Sequence, residues 1–399
     1  MSKHYTTGDV IEVRIEKIVP RGFGLAFAEN LTILVPLTAP GDVLRVRILE
    51  IKKRMAFAAI VEIKQPGPRR IAPPCEYFGI CGGCDFQQMS YAAQLDAKVG
   101  LIRDCLHRIG KIEYGEDISI IPSPNEFGYR SRTRWHLDRD KKTIGYFRRD
   151  SHDVIDIHSC PILTPGLQST LEYIRESMNW DAIWNDRAEM EAATGEEGRV
   201  SIYSADMAEP TAELSFAVNG DSYAFSAETF FQANKFLIPE LIEAAIGDVD
   251  GPVGDAAFDL YCGVGLFTLP MARRFAKVVG VEESSTAVEF AQKNIDNARL
   301  SNVKLVNKSV SKFLAENQKK RLDLILIDPP RSGTEKQTIV AITKLKPAQI
   351  SYVSCEPSIL ARDLRILLDA GYTIEKITAI DLFPQTHHVE TVVRLKIRT

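Results

Sequence analysis

Two side chains near the carboxyl end are of kinds that make and break bonds. Cys355, in "SYVSCEPSI", directly follows a short apolar run. A cysteine there is either inert core or a nucleophile able to attack an electron-poor carbon. Glu390, in "FPQTHHVETVVRL", offers a carboxylate that can take a proton, with His387 and His388 beside it as alternative bases. A second group lies upstream. Cys75, Cys81 and Cys84 fall within ten residues in "CEYFGICGGCDFQQ", and Gly82 and Gly83 let the chain fold round a common centre. Cys160, in "HSCPIL", is the candidate fourth ligand because a proline follows it. Four thiolates suit either zinc or an iron–sulfur cluster.

The bond-making pair must be held by the elements around it. From about residue 228, apolar runs of four to six residues alternate with helical segments, which predicts a doubly wound, Rossmann-like α/β sheet. "FDLYCGVGLFTLPMARRF" is strand, glycine turn and helix, but it lacks the third glycine of a dinucleotide fingerprint. The next strand ends "VGVEE", placing Glu282 at the distance expected of an acid on ribose hydroxyls, and "IDPPR" puts Asp328 at a strand's carboxyl end. These strand ends favour an adenosine ligand. Cys355 ends the following strand and shares that crevice. A thiol there can add to C6 of a uracil ring, making C5 nucleophilic toward a sulfonium methyl, and Glu390 can then remove the C5 proton.

The rest of the chain supplies a frame. Residues 6–64 alternate apolar and polar positions between turn signals and predict a small β-barrel, and "QPGPRRIAPP" then reads as a linker. Residues 90–110 predict a helix capped by Ser90, with a stripe of Leu95, Val99, Ile102, Leu106 and Ile109 and with Cys105 in the core. Residues 118–225 are expected to be β-rich. The 399 residues are 45% hydrophobic and 26% charged, values of an ordinary globular protein. Net charge is −4, yet residues 1–70 hold twelve Lys/Arg against seven Asp/Glu, and residues 128–149 eight against two. Such local excess suits phosphate contact. No apolar run reaches the roughly 18 residues of a membrane span. The N-terminus shows no secretory signal, so a cytoplasmic location is expected.

The set of "FFQAN", "DLYCGVG", "DPPR", "SCEP" followed by "ARD", and "FPQTHHVETV", with the barrel and the four cysteines, resembles the S-adenosylmethionine-dependent RNA 5-methyluridine methyltransferases. The likeness is to the branch with a TRAM domain and a [4Fe–4S] cluster. It implies that Gln232, Tyr261, Glu282 and Asp328 bind the cofactor, that Cys355 is the nucleophile and Glu390 the base, and that Cys75, Cys81, Cys84 and Cys160 ligate the cluster. It implies three domains: a TRAM-like RNA-binding barrel at 1–64, a central cluster-bearing domain at 65–225 whose "GYRSRTRWHL" run contacts RNA, and a catalytic domain at 226–399. Ribosomal RNA is the first expected substrate and transfer RNA the second, with the target base extruded from its stack. A monomer is assumed. Glu356 stands where the family has asparagine, and Leu266 where relatives carry asparagine near the cofactor. The competing readings are an amino-group methyltransferase, which needs no thiol, and a cluster-bearing RNA-binding protein with an impaired catalytic domain.

Overall fold

The computed structural model describes residues 4–207, 211–247, 254–317 and 322–398. Its largest sheet has eight strands. In spatial order they are Val303–Asn307, Phe275–Glu282, Gly254–Leu260, Leu324–Ile327, Gln349–Ser354, Glu390–Ile397, Tyr372–Ile380 and Ser119–Ile121. The first five run parallel. The "LILI" strand, fourth of these five, is buried at every position, as a parallel strand covered by helices on both faces must be. Connection order reverses between Gly254–Leu260 and Leu324–Ile327, so the ligand crevice of this Rossmann-like sheet opens above their carboxyl ends. Glu390–Ile397 then enters antiparallel and brings its first residue to that same edge. Ser119–Ile121, far earlier in the chain, adds the eighth strand.

The N-terminal strands form one six-stranded sheet curled round Val13, Ile33, Val35, Leu44 and Val46. A five-stranded antiparallel sheet, from Arg132–Asp138 to Val200–Tyr203, follows the cysteine-rich loops. This stretch is β-rich as expected, but it also carries the helix Pro165–Ser177, which covers the sheet with Leu167, Leu171 and Ile174.

The predicted 90–110 helix is present as Tyr91–Cys105, continued by a wider π-type turn over Leu106–Gly110. Ser90 precedes it without a side-chain capping bond. Its buried face differs from the expected stripe. Ile102 and Leu106 are buried, Ile109 is exposed, and Gln94 and Lys98 lie fully inside. The widened turn rotates Ile109 off the face. The two polar side chains are buried because partners from the far end of the chain meet them. Among the described residues, no helix is long and apolar enough to cross a membrane.

Candidate active site and cysteine cavity

Register explains how Cys355 and Glu390 come together. Ser354 pairs with Thr391 at the end of the antiparallel ladder, so the next residues, Cys355 and Glu390, face one another one step beyond it. Asp328 follows Ile327, which pairs with Tyr352 on the same strand that leads to Cys355. Three strand ends thus set a thiol and two carboxyls side by side.

The electrostatics follow from that crowding. Burial pushes the Cys355 thiol up to about 12, the Glu390 carboxyl adds to the rise, and Arg331 opposes it. Glu390 is almost wholly buried and held well above the usual carboxylate range, first by burial and then by Asp328. Asp328 is raised to about 7 by burial and by Asp259. Asp259 is itself raised to about 7, chiefly by burial, with the hydroxyl of Thr268 bonded to one oxygen and no partner on the other. Such a site favours the uncharged forms of its acids until a cation enters it. Arg331 already supplies part of that charge; it lies 5.6 Å from the centre of the Phe383 ring. Arg331 is the last residue of "DPPR", and that position was the signal by which its role could have been found.

The other expected ligand-binding residues sit round the same crevice. Tyr261 turns out of its strand at φ 66°, and its hydroxyl shares a 2.8 Å hydrogen bond with Thr334. Gly263 and Gly265 adopt φ 53° and 93°, which glycine takes at no steric cost. Glu282 Oε2 accepts the Gly263 N–H at 3.1 Å, while its Oε1 accepts the N–H groups of Glu283 and Ser284. Gln232 is buried, and its backbone carbonyl accepts from the Ser131 hydroxyl.

Both departures from the family pattern have structural explanations. Glu356 caps the helix Pro357–Asp369, accepting from the N–H and the hydroxyl of Ser358. That is a task asparagine also performs at this position of a helix. Its charge contributes least among the groups acting on Cys355. Leu266 is buried in the core rather than facing the crevice.

The pocket onto which Cys355 opens draws residues from several parts of the chain. Pro20 and Arg21 of the N-terminal sheet line it, as do Cys105, His387 and His388. Gly22, at φ 75°, lets that turn approach closely, since a Cβ there would meet Cβ of His387 at 3.2 Å. Burial and the adjacent His387 hold His388 down to about 3, so its ring is neutral, and its Nδ1 is buried without a partner.

The four cysteines line one cavity, together with Arg130 and Tyr146. The Gly83 N–H donates to Sγ of Cys81 at 3.3 Å. Burial pushes Cys84 to about 12 and Cys160 to about 11. Among the described residues, no group of three or more His, Cys, Asp or Glu side chains is placed to hold a metal ion. Tetrahedral zinc would need sulfurs about 2.3 Å from one centre. Thiols arranged round a cavity, with a nearby arginine to balance thiolate charge, fit a larger multi-atom group better than one ion.

Several basic residues of the run at 128–149 have acidic partners within the fold, while Arg134, Lys141, Lys142 and Arg148 remain exposed. Arg130 lines the cysteine cavity, Arg132 and Arg134 pair with Glu191, Arg139 with Asp186, and Arg149 with Asp85.

A Rossmann-like sheet with a thiol and carboxyls at its crevice is joined here to a small curled β-sheet. Comparison with known proteins gives the family. Residues 206–398 match the family described as tRNA (Uracil-5-)-methyltransferase, and residues 11–68 the TRAM domain of tRNA (uracil(54)-C(5))-methyltransferase. A 23S rRNA (uracil(1939)-C(5))-methyltransferase RlmD from Pectobacterium atrosepticum is 30% identical over 96% of this chain and 92% of its own. An uncharacterized RNA methyltransferase from Thermosynechococcus vestitus is 30% identical over 97% and 98%. The crystal structure of Pyrococcus abyssi tRNA (uracil-54, C5)-methyltransferase with S-adenosyl-L-homocysteine superposes with a TM-score of 0.74 at 26% identity, covering 96% of this chain and 100% of that one. The chain belongs to the RNA uracil-C5 methyltransferase family and is an S-adenosylmethionine-dependent enzyme. The amino-group and binding-only readings give way to this assignment.

Proposed function

We propose that this enzyme forms 5-methyluridine in 23S ribosomal RNA, with Cys355 as nucleophile and Glu390 as base. The observation that carries the reading is the opposition of Cys355 and Glu390 beside Asp328 at the crevice of the sheet. The Cys355 thiolate bonds to C6 of the extruded uracil, and the electron pair passes to C5, which takes up the methyl group. Glu390 removes the C5 proton, the C5–C6 double bond re-forms, and the C6–S bond breaks to return the thiolate. Gln232, Tyr261, Glu282 and Asp328 would hold S-adenosylmethionine, which when bound supplies an electrophilic methyl. The raised carboxyls of Asp328 and Glu390 would regain their charge as a cation enters.

The cavity of Cys75, Cys81, Cys84 and Cys160 would hold a [4Fe–4S] cluster, whose chemistry here is to cross-link four thiolates and fix the loops that carry them. Residues 1–64 would grip RNA, 65–225 carry the cluster and 226–399 perform the transfer, in the cytoplasm. One consideration favours ribosomal over transfer RNA: with both aligned over nearly the whole chain, RlmD relatives match at 30% identity and the tRNA enzyme at 26%. Incubation of the purified enzyme with labelled donor and either 23S rRNA or bulk tRNA tests this. Label in C5 of one 23S uridine is expected; label in tRNA alone would contradict the choice.

A further inference from the structure

One cation of the N-terminal sheet reaches the catalytic pocket and meets no partner there. Val19 pairs with Phe23 at the end of an antiparallel hairpin, so Pro20, Arg21 and Gly22 form a three-residue tip. Arg21 sits in the left-handed region at φ 68° and ψ 16°, followed by Gly22 at φ 75°. Glycine takes that backbone at no steric cost and arginine does not, so the side chain stands at the tip against its backbone's preference. The tip is held on both sides. Gly22 packs so closely that a Cβ there would lie 3.2 Å from Cβ of His387 and 3.4 Å from Cβ of Asp85. On the strand leading to the tip, Lys17 pairs with Asp104 of the helix Tyr91–Cys105 at 2.6 Å. The tip is thus fixed in place, and its Pro20 and Arg21 line the pocket onto which Cys355 opens.

The Arg21 guanidinium is exposed and, among the described residues, has neither a hydrogen bond nor an ion pair. Glu356, which lines the same pocket, is taken up in capping the helix Pro357–Asp369 through Ser358. A permanently charged fork without an internal partner suits an anion brought by the substrate. Uracil is neutral, and the charge of each nucleotide lies on its phosphodiester. Extrusion turns a base about its backbone, so the two flanking phosphates come to the mouth of the pocket as the ring reaches Cys355. Arginine meets phosphate oxygens with two parallel N–H groups. We propose that Arg21 is a substrate-binding residue for the extruded nucleotide: its guanidinium grips one of the two phosphates flanking the uridine that Cys355 attacks, and so holds the base out of its stack. This rests on the uracil-C5 reading above and narrows the general RNA grip of residues 1–64 to one contact at the catalytic pocket.

Removing the charge on each side of the contact tests this. Synthetic RNA spanning the target uridine carries a neutral methylphosphonate at either the 5′ or the 3′ flanking linkage. The preceding ribose is 2′-O-methylated both in these RNAs and in their charged counterparts. Binding of the full-length protein is measured without methyl donor. For wild type, one of the two replacements should weaken binding roughly tenfold, the usual scale of a hydrogen bond between charged groups. Arg21→Gln, at an exposed position that leaves the core untouched, should bind the charged RNA roughly tenfold more weakly and lose nothing further with that replacement. Its plot of log affinity against log salt should be shallower by about 0.7, one phosphate contact on a single strand. A replacement that weakens wild type and Arg21→Gln alike overturns the inference, and is the result expected if Arg21 meets a base carbonyl instead. Wild-type binding indifferent to both replacements, or a variant with unchanged affinity and salt slope, overturns it too. Methyl transfer by wild type to uridine RNA is scored separately. No transfer to any RNA sinks the proposed function, whereas transfer with equal phosphate effects in the two proteins sinks only the role of Arg21.

Discussion

Replacing Lys98 by methionine should destabilise the protein by about 3–5 kcal/mol, the usual cost of leaving one member of a buried ion pair alone. Lys98 and Asp381 are both fully buried and bonded to each other, and Lys98 also donates to the Phe383 carbonyl at 2.9 Å. Burial pulls the Lys98 ammonium below its ordinary pKa, and the charge of Asp381 resists this. One oxygen of Asp381 has no hydrogen-bond partner even in the intact pair. Without Lys98, that carboxylate keeps no counter-charge, with only the Tyr91 hydroxyl left to meet it, and must stay buried as a lone charge or take up a proton. Asp381→Leu in the same chain removes the stranded charge. What then remains is the orphaned Phe383 carbonyl, at about 1 kcal/mol. The double variant should therefore be more stable than Lys98→Met alone by about 2–4 kcal/mol, and the losses of the two single variants should not add. Urea-unfolding midpoints of the four proteins measure this. Asp381 to Val389 lead directly into Glu390, so methyl transfer should fall with Lys98→Met. A loss under 1 kcal/mol for Lys98→Met, or single effects that simply add, would refute the reasoning.

Three further outcomes follow from the same chemistry. Asp259 stays protonated in the fold up to about 7 against an ordinary 3.8, so its contribution is present below pH 4 and lost as pH rises toward 7; Asp259→Asn should remove that slope and gain up to about 4 kcal/mol over wild type at pH 8 relative to pH 4, read from paired melts at the two pH values. With the Cys355 thiol raised to about 12, kcat/KM should climb nearly tenfold per pH unit between pH 6 and 8, and a flat profile would mean that thiolate formation is not limiting. Anaerobically purified protein should carry about four irons and four sulfides per chain and lose them in Cys81→Ser, whereas stoichiometric zinc without sulfide would overturn the cluster assignment.

The reacting groups were legible because each stands at a strand end, where a polar residue after an apolar run has few structural reasons to be. Cys355, Asp328 and Glu282 follow such runs, and strand register then brings Glu390 opposite Cys355. The supports were not legible, because periodicity assigns polar residues to solvent. Gln94 and Lys98 break that rule: their partners, Gln385 and Asp381, lie more than 280 positions away. The arginines at 130–149 read as an exposed basic patch for the complementary reason, since Glu191, Asp186 and Asp85 neutralise several of them only after folding. Entry of Arg21 into the Cys355 pocket depends on how two separate sheets pack, which no local pattern encodes.

The covalent bond between Cys355 and the base is the claim on which the mechanism stands, and it can be isolated. RNA with 5-fluorouridine at the target has no C5 proton for Glu390 to remove, so after methylation the C6–S bond cannot break. Incubation with donor should give an adduct that survives denaturation, and peptide mass mapping should place it on Cys355. Glu390→Gln should accumulate the same linkage on ordinary RNA, and Cys355→Ala should form none. An adduct on another residue, or uridine methylation by Cys355→Ala, would contradict the account.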